Sequence, residues 1–142
     1  MASMAAKESI DLSHIWLLSS LSKAERKALE QKARKMEVPA GTLVLDEGSV
    51  GQACYVIETG KVAILRHNRK IAEVGEGQIV GEVALLDRLP RTASVKTLAD
   101  SVLYEFTKAD FDAVLDGSPA TTRKLLTTLA ARLRDADARA AY

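Results

Sequence analysis

The chain has 142 residues, 47% of them hydrophobic and 27% charged, which fits one soluble globular domain and argues against a disordered chain. Twenty basic residues against nineteen acidic ones leave a formal net charge of +1, with no basic excess to draw the chain to nucleic acid or to a membrane surface. No apolar run reaches the roughly 20 residues of a membrane helix. The opening MASMAAKESIDL lacks the regions of a signal peptide, and the single cysteine, Cys54, excludes an internal disulfide, so the expected location is the cytoplasm.

Residues 1–14 read as a flexible N-terminal segment ahead of one domain over 15–142. Within it, residues 15–38 read as helical. Ile15 to Leu18 and Leu21 make a short first helix, and Ser22-Lys23-Ala24-Glu25 matches a capping box that opens the next. Ala28, Leu29, Ala33 and Met36 continue it as an apolar stripe at helical spacing, closed by Pro39 and Gly41. From 42 to 106 the texture changes to short apolar runs broken by turn residues. Thr42–Leu45, Ala53–Ile57, Val62–Leu65, Lys70–Val74, Ser94–Thr97 and Val102–Phe106 have strand length and β-branched or aromatic content. Asp46-Glu47-Gly48, Glu58-Thr59-Gly60, His67-Asn68-Arg69 and Gly75-Glu76-Gly77 supply the turns. Short strands so punctuated predict a mainly β fold, an antiparallel jelly-roll barrel with flanking N- and C-terminal α-helices.

The remaining 107–140 returns to helix. Thr107 caps one helix with Phe111, Val114 and Leu115 on its apolar face, and Gly117 ends it. Ser118-Pro119 opens a second, whose stripe runs through Leu125, Leu129, Leu133, Ala136 and Ala140. That stripe leaves open a monomer or a homodimer formed through the last helix.

The inventory of reactive groups is thin. His14 and His67 stand far apart, and one cysteine with two scattered histidines is a poor ligand supply for zinc. Cys54 lies in an apolar run and reads as a small buried hydrophobe. The expectation is therefore no enzyme, no metal and no cofactor. One stretch departs from the strand pattern: GEVALLDRLPRTASV from Gly81, where Glu82–Leu86 reads as a helical turn and Arg91 follows Pro90. A glycine permits close backbone approach, N–H groups opening a short helix attract an anion, and a guanidinium offers a fork matched to two phosphate oxygens. A nearby carboxylate can accept from a sugar hydroxyl. Glu82 and Arg91 are also expected to pair with each other, and on composition alone an ordinary surface salt bridge is an equal reading.

GEVALLDRLPRTA, with the turns at Gly48 and Gly60 in order before it, resembles the phosphate-binding cassette of cyclic nucleotide-binding domains. These are the modules of kinase regulatory subunits, of the bacterial catabolite-activator family and of gated channels. The resemblance runs from about Leu17 to Leu133, and implies either a free-standing bacterial member or a domain of a longer protein. It implies that Arg91 binds the cyclic phosphate and Glu82 the ribose 2′-hydroxyl, with Gly81, Val83 and Ala84 adding backbone N–H donors and Thr92 and Ala93 flanking the phosphate, inside a cassette spanning 81–93. Val74 and Val80 would wall the base, Leu85 and Leu86 would anchor the cassette in the core, and Asp137 or Tyr142 would cap the base. It further implies a regulatory sensor, cAMP favoured over cGMP, whose ligand moves the C-terminal helices as a lid to signal to an unknown protein partner or fused effector domain. The alternative is a degenerate jelly roll that binds no nucleotide and serves protein interaction.

Overall fold

The computed structural model describes residues 9–140, with side-chain burial described through Asp137. A 3-10 turn at Trp16–Leu18 leads to α1 (Lys23–Lys32). Both halves of the capping box form: the Glu25 N–H donates to Ser22 Oγ at 3.1 Å, and the Ser22 N–H donates to Glu25 Oε1 at 2.8 Å. Eight strands follow, β1 (Arg34–Val38), β2 (Leu43–Leu45), β3 (Ala53–Thr59), β4 (Val62–Arg66), β5 (Arg69–Val74), β6 (Ile79–Val80), β7 (Ser94–Thr97) and β8 (Ser101–Thr107). A short helix, α2 (Glu82–Asp87), interrupts them, and α3 (Lys108–Gly117) and α4 (Pro119–Ala140) end the described chain.

The strands form two antiparallel sheets of four, ordered β1-β8-β3-β6 and β2-β7-β4-β5, the jelly-roll layout expected, as two stacked sheets. Alternation along β3 shows why they stack. Tyr55 and Ile57 point into an inter-sheet core with Leu45, Val62, Val74, Val80, Val95 and Leu103, while Cys54 and Val56 point the other way. That second face meets Leu12, Ile15, Leu29, Phe111 and Leu125 in a helical core. β3 and β8 are thus buried on both faces, which accounts for the unbroken apolar run from Cys54 to Ile57.

Two expectations about the helical flanks are corrected, and a third point is settled only in part. The helix read through Met36 stops at Lys32; Ala33 is already extended, and Arg34–Val38 pairs with β8 from Arg34↔Glu105 to Val38↔Ser101. Backbone pairing with a strand some 70 residues away outweighs the helix-forming preference of Arg, Lys and Met there. The flexibility expected over 1–14 is contradicted at Leu12, which is fully buried and donates its N–H to Glu30 Oε2 at 2.7 Å, and residues 1–8 lie outside the described residues. The apolar stripe of α4 covers the fold only as far as Leu129: Leu125 is buried, but Leu133 is 62% exposed and Ala136 is exposed as well. The Ala140 side chain lies outside the described residues.

The caps at the other end form as read. Thr107 Oγ1 accepts from the Asp110 N–H at 3.1 Å, and Ser118 Oγ accepts from the Thr121 N–H at 3.2 Å. The first turns of α4 are held to the N-terminal turn by Lys124, whose ammonium donates to Trp16 O at 3.2 Å and to Ser19 Oγ and sits 5.1 Å from the Trp16 ring centroid. No helix among the described residues is long and apolar enough to cross a membrane.

Candidate ligand-binding site

Where β6 runs into α2, the chain turns at Gly81 with φ +85°. A side chain is excluded there for two reasons. The conformation is left-handed, and a Cβ would lie 2.9 Å from Leu45 Cδ1 and 3.0 Å from Arg91 Nη1. The glycine therefore lets the Arg91 guanidinium lie against main chain. Arg91 donates from Nη1 to Gly81 O at 3.1 Å and from Nη2 to Ala53 O at 2.7 Å, and the residue is only 7% exposed. Burial lowers the affinity of this group for its proton, against the pull of Tyr55, Cys54 and Glu82, yet an arginine keeps its charge. Two of its donors are spent on carbonyls that fix its plane, and the residue borders a cleft.

Glu82, the first residue of α2, is 2% exposed. The pairing expected between Glu82 and Arg91 does not form. The carboxylate instead faces Arg132 on α4, with Nη1 at 3.4 and 3.3 Å from its two oxygens, while Arg132 Nη2 donates to Ile79 O at 2.7 Å. Arg91 is committed to Gly81 and Ala53, so the helix that folds over the cleft supplies the counter-charge. Burial still raises the Glu82 carboxyl above its ordinary value, outweighing the opposing pull of Arg132 and Arg91.

These groups border one open cleft of about 560 Å³, within the range of small-ligand sites. Its lining contains Gly81, Glu82, Val83 and Ala84 from the start of α2, and Arg91, Thr92 and Ala93 from the segment before β7. Val74 and Val80 give it an apolar wall, continued by Val95 and Leu45. All nine residues singled out from the sequence therefore meet at one place. The arrangement offers a fixed cation, a buried acceptor and an apolar slot, a set suited to a small molecule with an anionic end, a hydroxyl and a flat ring.

Leu85 is buried in the helical core, but Leu86 is 42% exposed and does not anchor the cassette, because one six-residue helix presents only one face inward. Asp137 is exposed and outside the cleft lining, and Tyr142 lies outside the described residues. The sequence reading missed Leu129, Arg132 and Asp135, through which α4 forms the roof. A signal was available: Arg132 lies three positions after Leu129, on the face already marked as turning inward. Cys54 is buried and its thiol is pushed up, mainly by burial, so it is unreactive. No group of three or more His, Cys, Asp or Glu able to hold a metal occurs among the described residues.

A jelly roll of two sheets with a helix-roofed cleft and a cationic clamp defines a small-ligand-binding module. The family model for the cyclic nucleotide-binding domain matches residues 35–118, and the chain belongs to that family. It is 35% identical over 104 residues to the cyclic AMP receptor protein of Thermus thermophilus, covering 70% of this chain and 48% of that protein. It is 37% identical over 94 residues to the mouse potassium/sodium hyperpolarization-activated cyclic nucleotide-gated channel 3, covering 66% of this chain and 12% of the channel. The crystal structure of the Thermus thermophilus catabolite activator protein superposes with a TM-score of 0.74 at 30% identity, over 87% of this chain and 60% of that one. The chain thus spans about half or less of the length of these two curated relatives.

Proposed function

We propose that this cleft binds a cyclic nucleotide monophosphate and that the chain is a regulatory sensor module. One observation carries the reading: a buried guanidinium, oriented by two carbonyls, beside a buried carboxylate on the rim of an open cleft of nucleotide size. No ion pair of Arg91 occurs among the described residues, and its guanidinium is held by the carbonyls of Gly81 and Ala53. The spare donors of Arg91 would take the two free phosphate oxygens, with the N–H groups of Val83 and Ala84 and the flanking Thr92 and Ala93 completing that end. Glu82 would accept from the ribose 2′-hydroxyl. Val74 and Val80 would lie against the base. The name of the 35% identical receptor protein supports cAMP over cGMP as the preferred ligand.

A lid motion of α4 would start at Arg132. This residue ties α4 to Glu82 and to Ile79 O across the cleft, so a ligand that engages Glu82 changes the contact on which the helix rests. A ligand that meets the two positions of α4 with different affinity shifts their populations, and one that meets both alike shifts nothing. The moved helix would signal to a partner or fused effector domain in the cytoplasm. Calorimetric titration of the purified chain with cAMP and with cGMP tests the reading. Binding of one or both is the expected result; no heat and no thermal shift with either would leave the interaction-module alternative.

A further inference from the structure

The clamp side chain is held by its guanidinium, but its main chain is held separately, and by residues that do not line the cleft. The Gly48 N–H donates to Arg91 O at 2.8 Å, and the Arg91 N–H donates to Ser49 O at 2.8 Å. This reciprocal pair prolongs the β2–β7 ladder, in which Leu45 faces Val95, beyond the ends of both strands. The turn after β2 is itself tied at Glu47. Its N–H donates to Ser94 Oγ at 2.9 Å, and its Oε1 accepts from the His67 N–H at 3.0 Å, with Oε2 3.4 Å from His67 Nδ1. His67 and Asn68 both have positive φ, 51° and 66°, and form the tight two-residue turn of the β4–β5 hairpin. From the same hairpin tip, Arg66 Nε donates to Thr92 O at 3.3 Å.

We propose that the β4–β5 hairpin tip is a brace for the cation clamp, with Glu47 and Arg66 as positioning residues that fix the main chain of 91–94 from two sides. The inference rests on the nucleotide-binding reading for its effect on affinity, though the bracing itself does not. Glu47 and Arg66 are both absent from the cleft lining, so neither touches a ligand bound there. Their influence runs only through where the backbone of residues 91–92 sits, and a displacement of a fraction of an ångström is enough to spoil a bidentate contact.

The test compares Glu47→Ala, Glu47→Gln and Arg66→Ala with the parent chain by amide hydrogen exchange without nucleotide and by cAMP titration. Glu47→Ala is expected to speed exchange of the Arg91 and Gly48 amides about tenfold and to leave the core amides of Val56 and Leu103 unchanged. It should weaken cAMP binding by about tenfold, about one hydrogen bond's worth of positioning. Glu47→Gln keeps an oxygen for the His67 N–H and should restore both readings. Arg66→Ala should weaken binding without altering the Gly48 amide. Unchanged Arg91 exchange in Glu47→Ala, acceleration of all amides together, or a glutamine variant as impaired as the alanine would each overturn the brace. If the parent chain binds no nucleotide, the functional reading fails, and the exchange data alone then decide the brace.

Discussion

Replacing Arg91 by alanine removes two things at once, and the structure separates their sizes. The first is the pair of bonds to Gly81 O and Ala53 O, at 3.1 and 2.7 Å, whose loss leaves two carbonyls without this donor. Charged hydrogen bonds contribute about 1.5–3 kcal/mol each when made, and solvent entering the vacated space recovers part, so the nucleotide-free protein should lose about 2 kcal/mol. For a domain of this length that is a fall in Tm of roughly 5–10 °C. The second, on the proposed function, would be a phosphate contact through the remaining donors, about 3–5 kcal/mol, which converts to an expected loss of roughly 100- to several-thousand-fold in cAMP affinity. Calorimetry with cAMP and a thermal melt of each protein read the two effects independently. Arg91→Lys keeps the charge without the fork and should fall between parent and alanine. An alanine variant that still binds within threefold of the parent, while folded, would refute the clamp.

Glu82→Gln probes the buried carboxyl. Because burial raises Glu82 above its ordinary 4.5, the native state holds that proton more tightly than the unfolded chain. The associated stability is complete below 4.5 and is lost as pH rises through the raised value, so the Tm of Glu82→Gln relative to the parent should increase between pH 4 and pH 7. The same variant should bind cAMP about five- to tenfold more weakly, having lost a charged acceptor. Leu125→Ala, on the buried face of α4, should cost about 2–5 kcal/mol in urea unfolding, whereas Leu133→Ala should stay within about 0.5 kcal/mol. Gly60→Ala should fail to yield a folded protein, as read by circular dichroism of the expressed chain. Its φ is +103°, and the new Cβ would lie 2.1 Å from Ser101 Oγ and 2.8 Å from Ser101 Cα, so trimming the serine does not relieve it.

What could be read from the residues depended on how local its cause was. Ser22 with Glu25 and Thr107 with Asp110 mark helix starts because the cap and its partner are three residues apart, and Ser118 does so because Pro119 follows it at once. The cassette was legible for a similar reason: Gly81, Glu82 and Arg91 are close in sequence and in space. β1 was not, since Arg34, Lys35 and Met36 suit a helix and only the partner strand β8 makes them extended. β6 is two residues long, too short for any period to register. The partner of Glu82 was assigned to Arg91, nine positions away, whereas the fold supplies Arg132, fifty positions away. Closeness in sequence favours Arg91, and only the folded chain brings Arg132 to the carboxylate.

β3 is a partition shared by the clamp and the helices. Ala53 gives its carbonyl to Arg91, while its neighbour Cys54 is pressed against the helical layer. The clamp and the helices are therefore separated by the thickness of a single strand, with the open cleft on one side and, on the other, a small apolar cavity lined by Cys54, Phe111 and Leu125. A displacement of the Ala53 carbonyl would meet Phe111 and Leu125 across that small space, where their side chains have room to give.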